Sequence, residues 1–241
     1  MTQYNGSAYS KILNIGAIPG VLLDVTAGKS GVKVDTKGEK TNHYAEAEGT
    51  PLEVKLLNGN LLEGLLIVTS TGNEGKKEGE INPENLPVLL KDLGLTMGVL
   101  TAEADSSTTP PRAESSSGVA SLKLGPVLLF PEILKEGSIK TESSLKPDFA
   151  SGTLESSSGI VEDEPVNIFF LGDTLRIEGL RVRATAEANG KPGGAKADFD
   201  WSVADIILKY PVIGEKSILS ELKAKGEVSL PGVLEVSLGQ V

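Results

Sequence analysis

Between Val182 and Val203 apolar and polar positions alternate along the chain. Val182, Ala184, Ala186 and Ala188 are separated by Arg183, Thr185 and Glu187, and Ala197, Phe199, Trp201 and Val203 are separated by Asp198, Asp200 and Ser202. A period of two is that of a strand with one face inside and one in water. Asn189-Gly190-Lys191-Pro192-Gly193-Gly194 between the two runs reads as a turn, so the segment predicts a β-hairpin. Leu100, Ala102 and Ala104 alternate in the same way with Thr101, Glu103 and Asp105. Past Val203 the apolar side changes phase to Ala204, Ile206 and Leu208, and the same change falls between Val119 and Ala120. A β-bulge at each place would turn every later side chain to the opposite face.

The two regions match each other at an offset of 84 residues. Thr101-Ala-Glu-Ala104 recurs as Thr185-Ala-Glu-Ala188, Val119-Ala120 falls on Val203-Ala204, and Leu124 falls on Leu208. Residues 98–127 and 182–211 are therefore expected to be two copies of one hairpin unit inside a single domain spanning residues 1–241. A fainter third copy runs from Val21 to Ala27 and from Ala45 towards Leu52, Val54 and Leu56. Glu114-Ser-Ser-Ser-Gly118 also recurs as Glu155-Ser-Ser-Ser-Gly159, at about half the longer offset; loop or edge positions would accommodate these serines.

Val166, Ile168 and Phe170 lead through Gly172-Asp173 to Leu175 and Ile177, which predicts strand, tight turn and strand. The terminal run of Val228, Leu230, Val233, Leu234, Val236 and Leu238 predicts a closing strand or pair of strands broken at Pro231-Gly232. One short helix is expected within Pro83–Leu93, with Leu86, Leu89, Leu90 and Leu93 on one face and Gly94 as its stop, and Pro87 limits or distorts it. Ser217 to Lys225 fits helix or strand equally.

Composition supports an all-β reading. Glycine and proline number 28 and 13 in 241 residues, so turns are frequent, and only ten aromatics force an aliphatic, thin core. The net charge of −10 repels phosphate backbones, so nucleic acid is not an expected partner. No apolar run reaches the ~18 residues of a membrane helix, and Met1 is not followed by the basic and apolar regions of an export signal. The absence of cysteine removes disulfides, thiolate nucleophiles and cysteine-ligated metals.

The runs Gly98-Val-Leu-Thr-Ala-Glu-Ala104, Ser117-Gly-Val-Ala-Ser-Leu-Lys-Leu124 and Gly179-Leu-Arg-Val-Arg-Ala-Thr-Ala186 resemble the repeated strands of actinobacterial cell-surface proteins grouped as "choice-of-anchor P". The likeness spans about residues 7–208. It implies export, attachment to the cell wall and an all-β exterior region. The chain departs from that pattern in lacking a signal, a sorting motif and a C-terminal apolar tail.

Catalytic chemistry finds little support. His43 is the single histidine and lies in a polar stretch, which reads as a solvated loop imidazole rather than the base of a nucleophilic triad. A glycoside hydrolase would need two facing carboxylates and exposed aromatics, whereas Trp201 falls in an apolar alternation and reads as core. Calcium is the one cofactor the composition leaves open, with Asp198 and Asp200 on one strand face and Glu162, Asp163 and Glu164 in one loop as candidate ligands. Neither group has the spacing of a dedicated calcium loop. The expected fold is thus an all-β sandwich or barrel-like domain built from duplicated hairpins, with one short helix. The expected role is non-enzymatic: a structural or adhesive cell-surface, extracellular module that presents sheet faces and edges to other surface proteins or to further copies. Lys29, Lys37 and Lys40 would guard such edges. The alternatives are a carrier of lipids or small apolar ligands, whose alanine faces would enclose a cavity, and a carboxylate-dependent glycoside hydrolase.

Overall fold

The alternating segments do form strands, and turns join most of them to their sequence neighbours as antiparallel ladders. A computed structural model of the chain describes residues 3–15, 23–37, 43–56, 61–62, 65–92, 94–125, 134–161, 164–170, 172, 174–210, 214–217, 219, 227–230 and 234–237. A small sheet comes first: β1 (Asn5–Ile15), β2 (Leu23–Asp35) and β3 (Tyr44–Leu56), with β4 (Leu61–Leu62) and β5 (Val68–Thr71) both pairing with the far side of β3. A large sheet follows, made of β6 (Lys77–Ile81), β7 (Leu95–Met97), β8 (Leu100–Thr108), β9 (Pro111–Val119), β10 (Leu122–Leu124), β11 (Leu134–Glu136), β12 (Ile139–Asp148), β13 (Thr153–Ile160), β14 (Val166–Phe170), β15 (Leu175–Ala188), β16 (Ala195–Ser202), β17 (Asp205–Tyr210) and β18 (Gly214–Ser217). At the terminus β19 (Glu227–Leu230) and β20 (Leu234–Ser237) form a separate hairpin, the paired form of the two alternatives the sequence left open.

The large sheet is creased along one line. Its upper half runs β6-β8-β9-β12-β13-β15-β16 and its lower half β7-β10-β11-β14-β15-β17-β18, so β15 crosses the crease unbroken. The crease is where the apolar phase flips, but the expected one-residue bulges are absent there. Leu100 pairs with Val119 above the break and Met97 with Leu122 below it, so both strands advance equally and the register is kept. Arg181–Ser202 and Glu178–Asp205 do the same in the second unit. In each unit a glycine faces an alanine at the break. A Cβ on Gly98 would lie 2.9 Å from that of Ala120, and one on Gly179, whose φ is +66°, would lie 2.7 Å from that of Ala204. A true register shift occurs in the large sheet between β14 and β15, near Val166 and Ile168.

The structure also re-aligns the repeat. Gly118 pairs with Thr101, while Ser202, its counterpart 84 residues on, pairs with Arg181 rather than Thr185. The Thr-Ala-Glu-Ala match therefore sits at different heights in the two hairpins. A turn of only Thr109 and Pro110 joins β8 to β9, whereas Asn189 to Gly194 join β15 to β16, and the extra turn residues absorb the difference.

The small sheet covers the upper half of the large one, β3 over β8 and β9, β2 over β9 and β12, and β1 over β12 and β13. The layer between them is made of small residues: Val32, Val34, Ala45, Ala47, Ala102, Ala104, Ala113 and Leu145 are buried together. The sheets approach so closely that a Cβ on Gly49 would fall 2.4 Å from the Ser116 carbonyl oxygen. The serine runs lie on central strands rather than in loops or at edges, and Ser115, Ser117, Ser143 and Ser158 of them are buried, joined in this layer by serines of other strands. Ser10, Ser30 and Ser143 link their hydroxyls in a chain at 2.7 and 2.8 Å, Ser70 meets Ser106 at 2.9 Å, and Ser117 meets Thr141 at 2.8 Å. Hydroxyls that satisfy one another allow an interface thinner than leucines would permit. A larger aliphatic core, including Ile12, Val25, Leu52, Leu100, Leu122, Ile139, Ile168 and Ile177, fills the space along the crease and below it.

The predicted helix is shorter than its leucine pattern. Pro83–Asn85 form a 3-10 turn, Leu86 is extended at φ −62° and ψ 131°, and α1 spans Val88–Asp92. Leu86 precedes Pro87, whose ring drives the preceding residue out of the helical region and so divides the segment. Gly94, at φ +76°, ends α1 with its N–H donating to the Lys91 carbonyl. Of Ser217–Lys225, Ser217 closes β18 and all but Leu219 of the remainder lies outside the described residues. No helix among the described residues is long and apolar enough to cross a membrane.

Candidate functional site

The two sheets differ in width, and the difference leaves a step. Nothing in the small sheet extends past β1, while β15 and β16 continue the upper half of the large sheet beyond it. The inner face of that overhang carries Ala184 opposite Phe199 and Ala186 opposite Ala197. In the first unit the alanines of this pattern, Ala102, Ala104 and Ala113, are sealed between the sheets. In the second unit Ala186 and Ala197 are exposed, and Phe199 is 50% exposed. The expectation that both hairpins turn their methyl groups inward thus holds for the first copy and fails for the upper part of the second. Nearer the crease Val203 is buried, and Trp201 is partly buried against the core.

The step forms an open recess of about 890 Å³. Ser156, Ser158, Ala184, Ala186, Ala197 and Phe199 make its floor, and Ser7, Ala8 and Tyr9 of β1 form its wall. Tyr9 is 42% exposed, and burial of the hydroxyl end raises its pKa above the ordinary tyrosine value. From Asn5 to Ser10 the wall strand carries no charge. It is anchored at its start, where the Tyr4 N–H donates to Thr36 Oγ1 at 2.7 Å and the Tyr4 ring meets Phe149 edge to face at 5.5 Å. In its sheet β1 has β2 as its one ladder partner among the described residues, so where Ser7 to Tyr9 border the recess the outward amides and carbonyls have no strand ladder to receive them.

Two other sheet margins carry charge, whereas β5 (Val-Thr-Ser-Thr) and β7 (Leu-Thr-Met), each with one ladder partner among the described residues, do not. β6 reads Lys-Glu-Gly-Glu-Ile and β16 carries Lys196, Asp198 and Asp200. The lysines expected to guard edges do so less directly. Lys29 lies on β2, paired on both sides, and its ammonium meets Glu48 at 3.4 Å and Glu53 at 4.0 Å. Lys37 follows the end of β2, and Lys40 lies outside the described residues.

A second concavity, about 690 Å³, lies on the outer face of the upper half and is polar, with no aromatic in its lining. Several of its charges are paired: Lys76 with Glu103 at 3.4 Å, Lys146 with Glu114 at 2.8 Å, and Asp105 with the adjacent Arg112 at 2.7 Å. Such pairing leaves little field to attract a charged ligand.

Asp198 and Asp200 share one face of β16 as expected, with no third acidic residue brought to them among the described residues. Asp198 and Asp200 stand exposed on β16 opposite Thr185 and Arg183, Glu164 is held by Lys140 at 3.4 Å, and Glu162 and Asp163 lie outside the described residues. Among the described residues no group of three or more His, Cys, Asp or Glu is placed to hold a metal ion. His43 is half-buried just before β3. The recess itself was missed in the sequence; its one legible sign was a strand, Asn5–Ser10, with neither charge nor proline to blunt it.

No family model, curated protein or solved structure matches the chain.

Proposed function

We propose that the protein is a non-enzymatic structural or adhesive module of the cell surface, acting through the β1 edge and the uncovered face of the β15–β16 hairpin. One observation carries this reading: the alanine pattern that builds the core in the first unit lies open in the second, beside an uncharged strand edge. An entering strand gains main-chain hydrogen bonds from β1 and buries alternate side chains on Ala184, Ala186 and Phe199, the two contributions that make strand addition both tight and selective. The partner is a second copy or another surface protein offering an extended segment. The resemblance to wall-anchored repeat proteins agrees with such a role.

The recess is open along its length, which argues against a carrier that shields an apolar ligand. The polar concavity lacks aromatics to stack sugars, which argues against a glycoside hydrolase. The test is sedimentation velocity over a rising concentration series. Wild-type chains are expected to associate weakly and reversibly, and chains carrying Ala186→Asp to remain monomeric with an unchanged unfolding midpoint. A wild-type chain that stays monomeric throughout and does not bind an immobilised second copy overturns the reading.

A further inference from the structure

We infer that the partner is a second copy of the chain held in a half-lap joint, in which each molecule lays its β15–β16 overhang into the recess of the other and pairs β16 with the other's β1. This rests on the reading of the recess as a strand acceptor and names the strand that enters it. A step has a shape that fits itself. Rotation by 180° about an axis parallel to the strands turns the second copy over, so that its overhang joins the layer of the first copy's small sheet and its small sheet joins the layer of the first copy's overhang. Rotation about the sheet normal, which would join β1 to β1, is barred because both overhangs would then fill the same space beneath the seam. With neighbouring strands about 4.8 Å apart, the entering β16 lies over β15 and the entering β15 over β16. Phe199 of each copy then rests on Ala184 of the other, and Ala197 on Ala186, so the large side chain meets a small one.

The same rotation fixes the register, and three features of the two edges agree with it. The first is height along the strands. Linked hydroxyls set Ser10 beside Ser30 and Ser30 beside Ser143, and the ladders carry that height through Ser158 and Ala184 to Phe199. Both strands run from turns towards the crease, β1 from Tyr4 beside Phe149 and β16 from the turn at Gly194. Ser7, Tyr9 and Lys11 of one copy therefore stand beside Lys196, Asp198 and Asp200 of the other, in a parallel pair. The second feature is the aim of the main-chain groups. The Thr36 N–H donates to the Tyr4 carbonyl at 2.8 Å, so Asn5, Ser7 and Tyr9 turn their amides and carbonyls away from β2. The Asn189 N–H donates to the Gly194 carbonyl at 3.2 Å, so Ala195, Ala197 and Phe199 turn theirs away from β15. In a parallel ladder a residue bonds to the two that flank its opposite, so Tyr9 opposite Asp198 reaches the Ala197 carbonyl and the Phe199 N–H. A shift of one residue would lose both. The third feature is charge: Lys11 meets Asp200, the Tyr9 side chain meets Asp198, and Lys196 meets the uncharged Ser7, so no like charges face each other along the seam.

β20 lies against β1 without a ladder to it among the described residues, so the seam forms with no β1 hydrogen bond broken. Each copy offers two strands over a patch of roughly 20 Å by 10 Å, at the weak end of interface sizes. The overhang is accordingly open in the dilute monomer and covered when copies are crowded.

Mixing tests the joint, because every seam sets position 11 of one copy against position 200 of the other. Sedimentation velocity is run on full-length chains carrying Lys11→Asp or Asp200→Lys. Each variant alone places like charges at both seams and is expected to associate at least tenfold more weakly than wild type. An equimolar mixture sets the two substituted positions against each other at one seam and the two native residues at the other, and is expected to associate like wild type. A chain that had lost its fold is not rescued in this way. The register is read from two further variants, Ser7→Cys and Lys196→Cys, in a chain otherwise free of cysteine. Under mild oxidation only their mixture is expected to give a covalent dimer, since paired strands bring the two positions within the roughly 7 Å a disulfide spans, while like positions lie more than about 10 Å apart. A charge mixture no better than its parts overturns the inference, and so does cross-linking of Ser7→Cys alone to the extent seen in the mixture, which would set β1 against β1. If either result is found while Ala186→Asp still abolishes association, the proposed function stands with another strand in the recess. If wild-type chains neither associate nor bind an immobilised copy, both fall.

Discussion

Phe199 stands directly opposite Ala184 in the β15–β16 ladder, and half of its surface is in solvent, although both residues occupy the side of the hairpin that continues into the buried core at Val182. Core at one end and surface at the other make the hairpin a graded element. Substitutions along it should therefore divide by height. Ala186→Asp adds a solvated charge and is expected to change stability by no more than about 0.5 kcal/mol. Ala104→Asp places an unpaired carboxylate between the sheets, where Ala104 is 1% exposed, and is expected to cost more than about 3 kcal/mol. Urea unfolding of the two variants measures both, and equal losses would mean that the overhang is covered.

Much of this arrangement was readable in the alternation, and what was not has a physical cause. A period of two announces that Ala186 and Ala188 share a face, but whether another layer covers that face depends on the relative width of two sheets, which no single strand encodes. Ser115 of β9 and Ser143 of β12 gave no sign of burial because their partners, Gly31 and Ser30, come from a strand distant in sequence. The phase flips beside Val119 and Val203 were legible, yet a break shared by both strands leaves the same mark on one strand as a bulge does. Pro87 alone was enough to foresee the shortened helix.

The close approach of the sheets at Gly49 gives a sharp steric test. A methyl group there meets a backbone carbonyl, which cannot swing aside as a side chain can, so Gly49→Ala is expected to destabilise by about 3 kcal/mol. Gly31→Ala, on the neighbouring strand, brings its methyl only to 3.4 Å from the Tyr9 ring and is expected to cost less than about 1 kcal/mol. The difference between their chemical-denaturation midpoints is the measurement.

The hydroxyl chain of Ser10, Ser30 and Ser143 predicts strong non-additivity. Ser30→Ala alone takes the Ser30 hydroxyl from Ser10 Oγ, while Ser143 Oγ keeps the Ser30 carbonyl at 3.3 Å, and is expected to cost about 2 kcal/mol, since an unsatisfied buried group forfeits its hydration with no return. Replacing all three serines by alanine removes every stranded group and is expected to restore most of that loss. A mutant cycle over the three positions decides it, and additive losses would show that the hydroxyls do not act as a unit.

Glu74 offers a pH test at the turn after β5. Its carboxylate accepts hydrogen bonds from Lys77 Nζ at 2.8 Å, the Thr71 N–H at 2.8 Å and Thr71 Oγ1 at 2.9 Å, and these hold its pKa down to about 2, with the lysine contributing most. A carboxylate depressed in the folded state adds stability that is fully present above its unfolded value, near 4.5, and is lost as the pH falls from there through about 2. In an NMR titration the Glu74 side-chain carbonyl is therefore expected to keep its ionised shift at pH 3, where solvated glutamates are mostly protonated. Lys77→Met should move the Glu74 midpoint up towards the ordinary glutamate range while leaving Asp148 in place, because the Asp148 carboxylate is lowered by Ser151 and the Ala150 N–H instead. A Glu74 midpoint unmoved by that substitution would assign the depression to Thr71 alone.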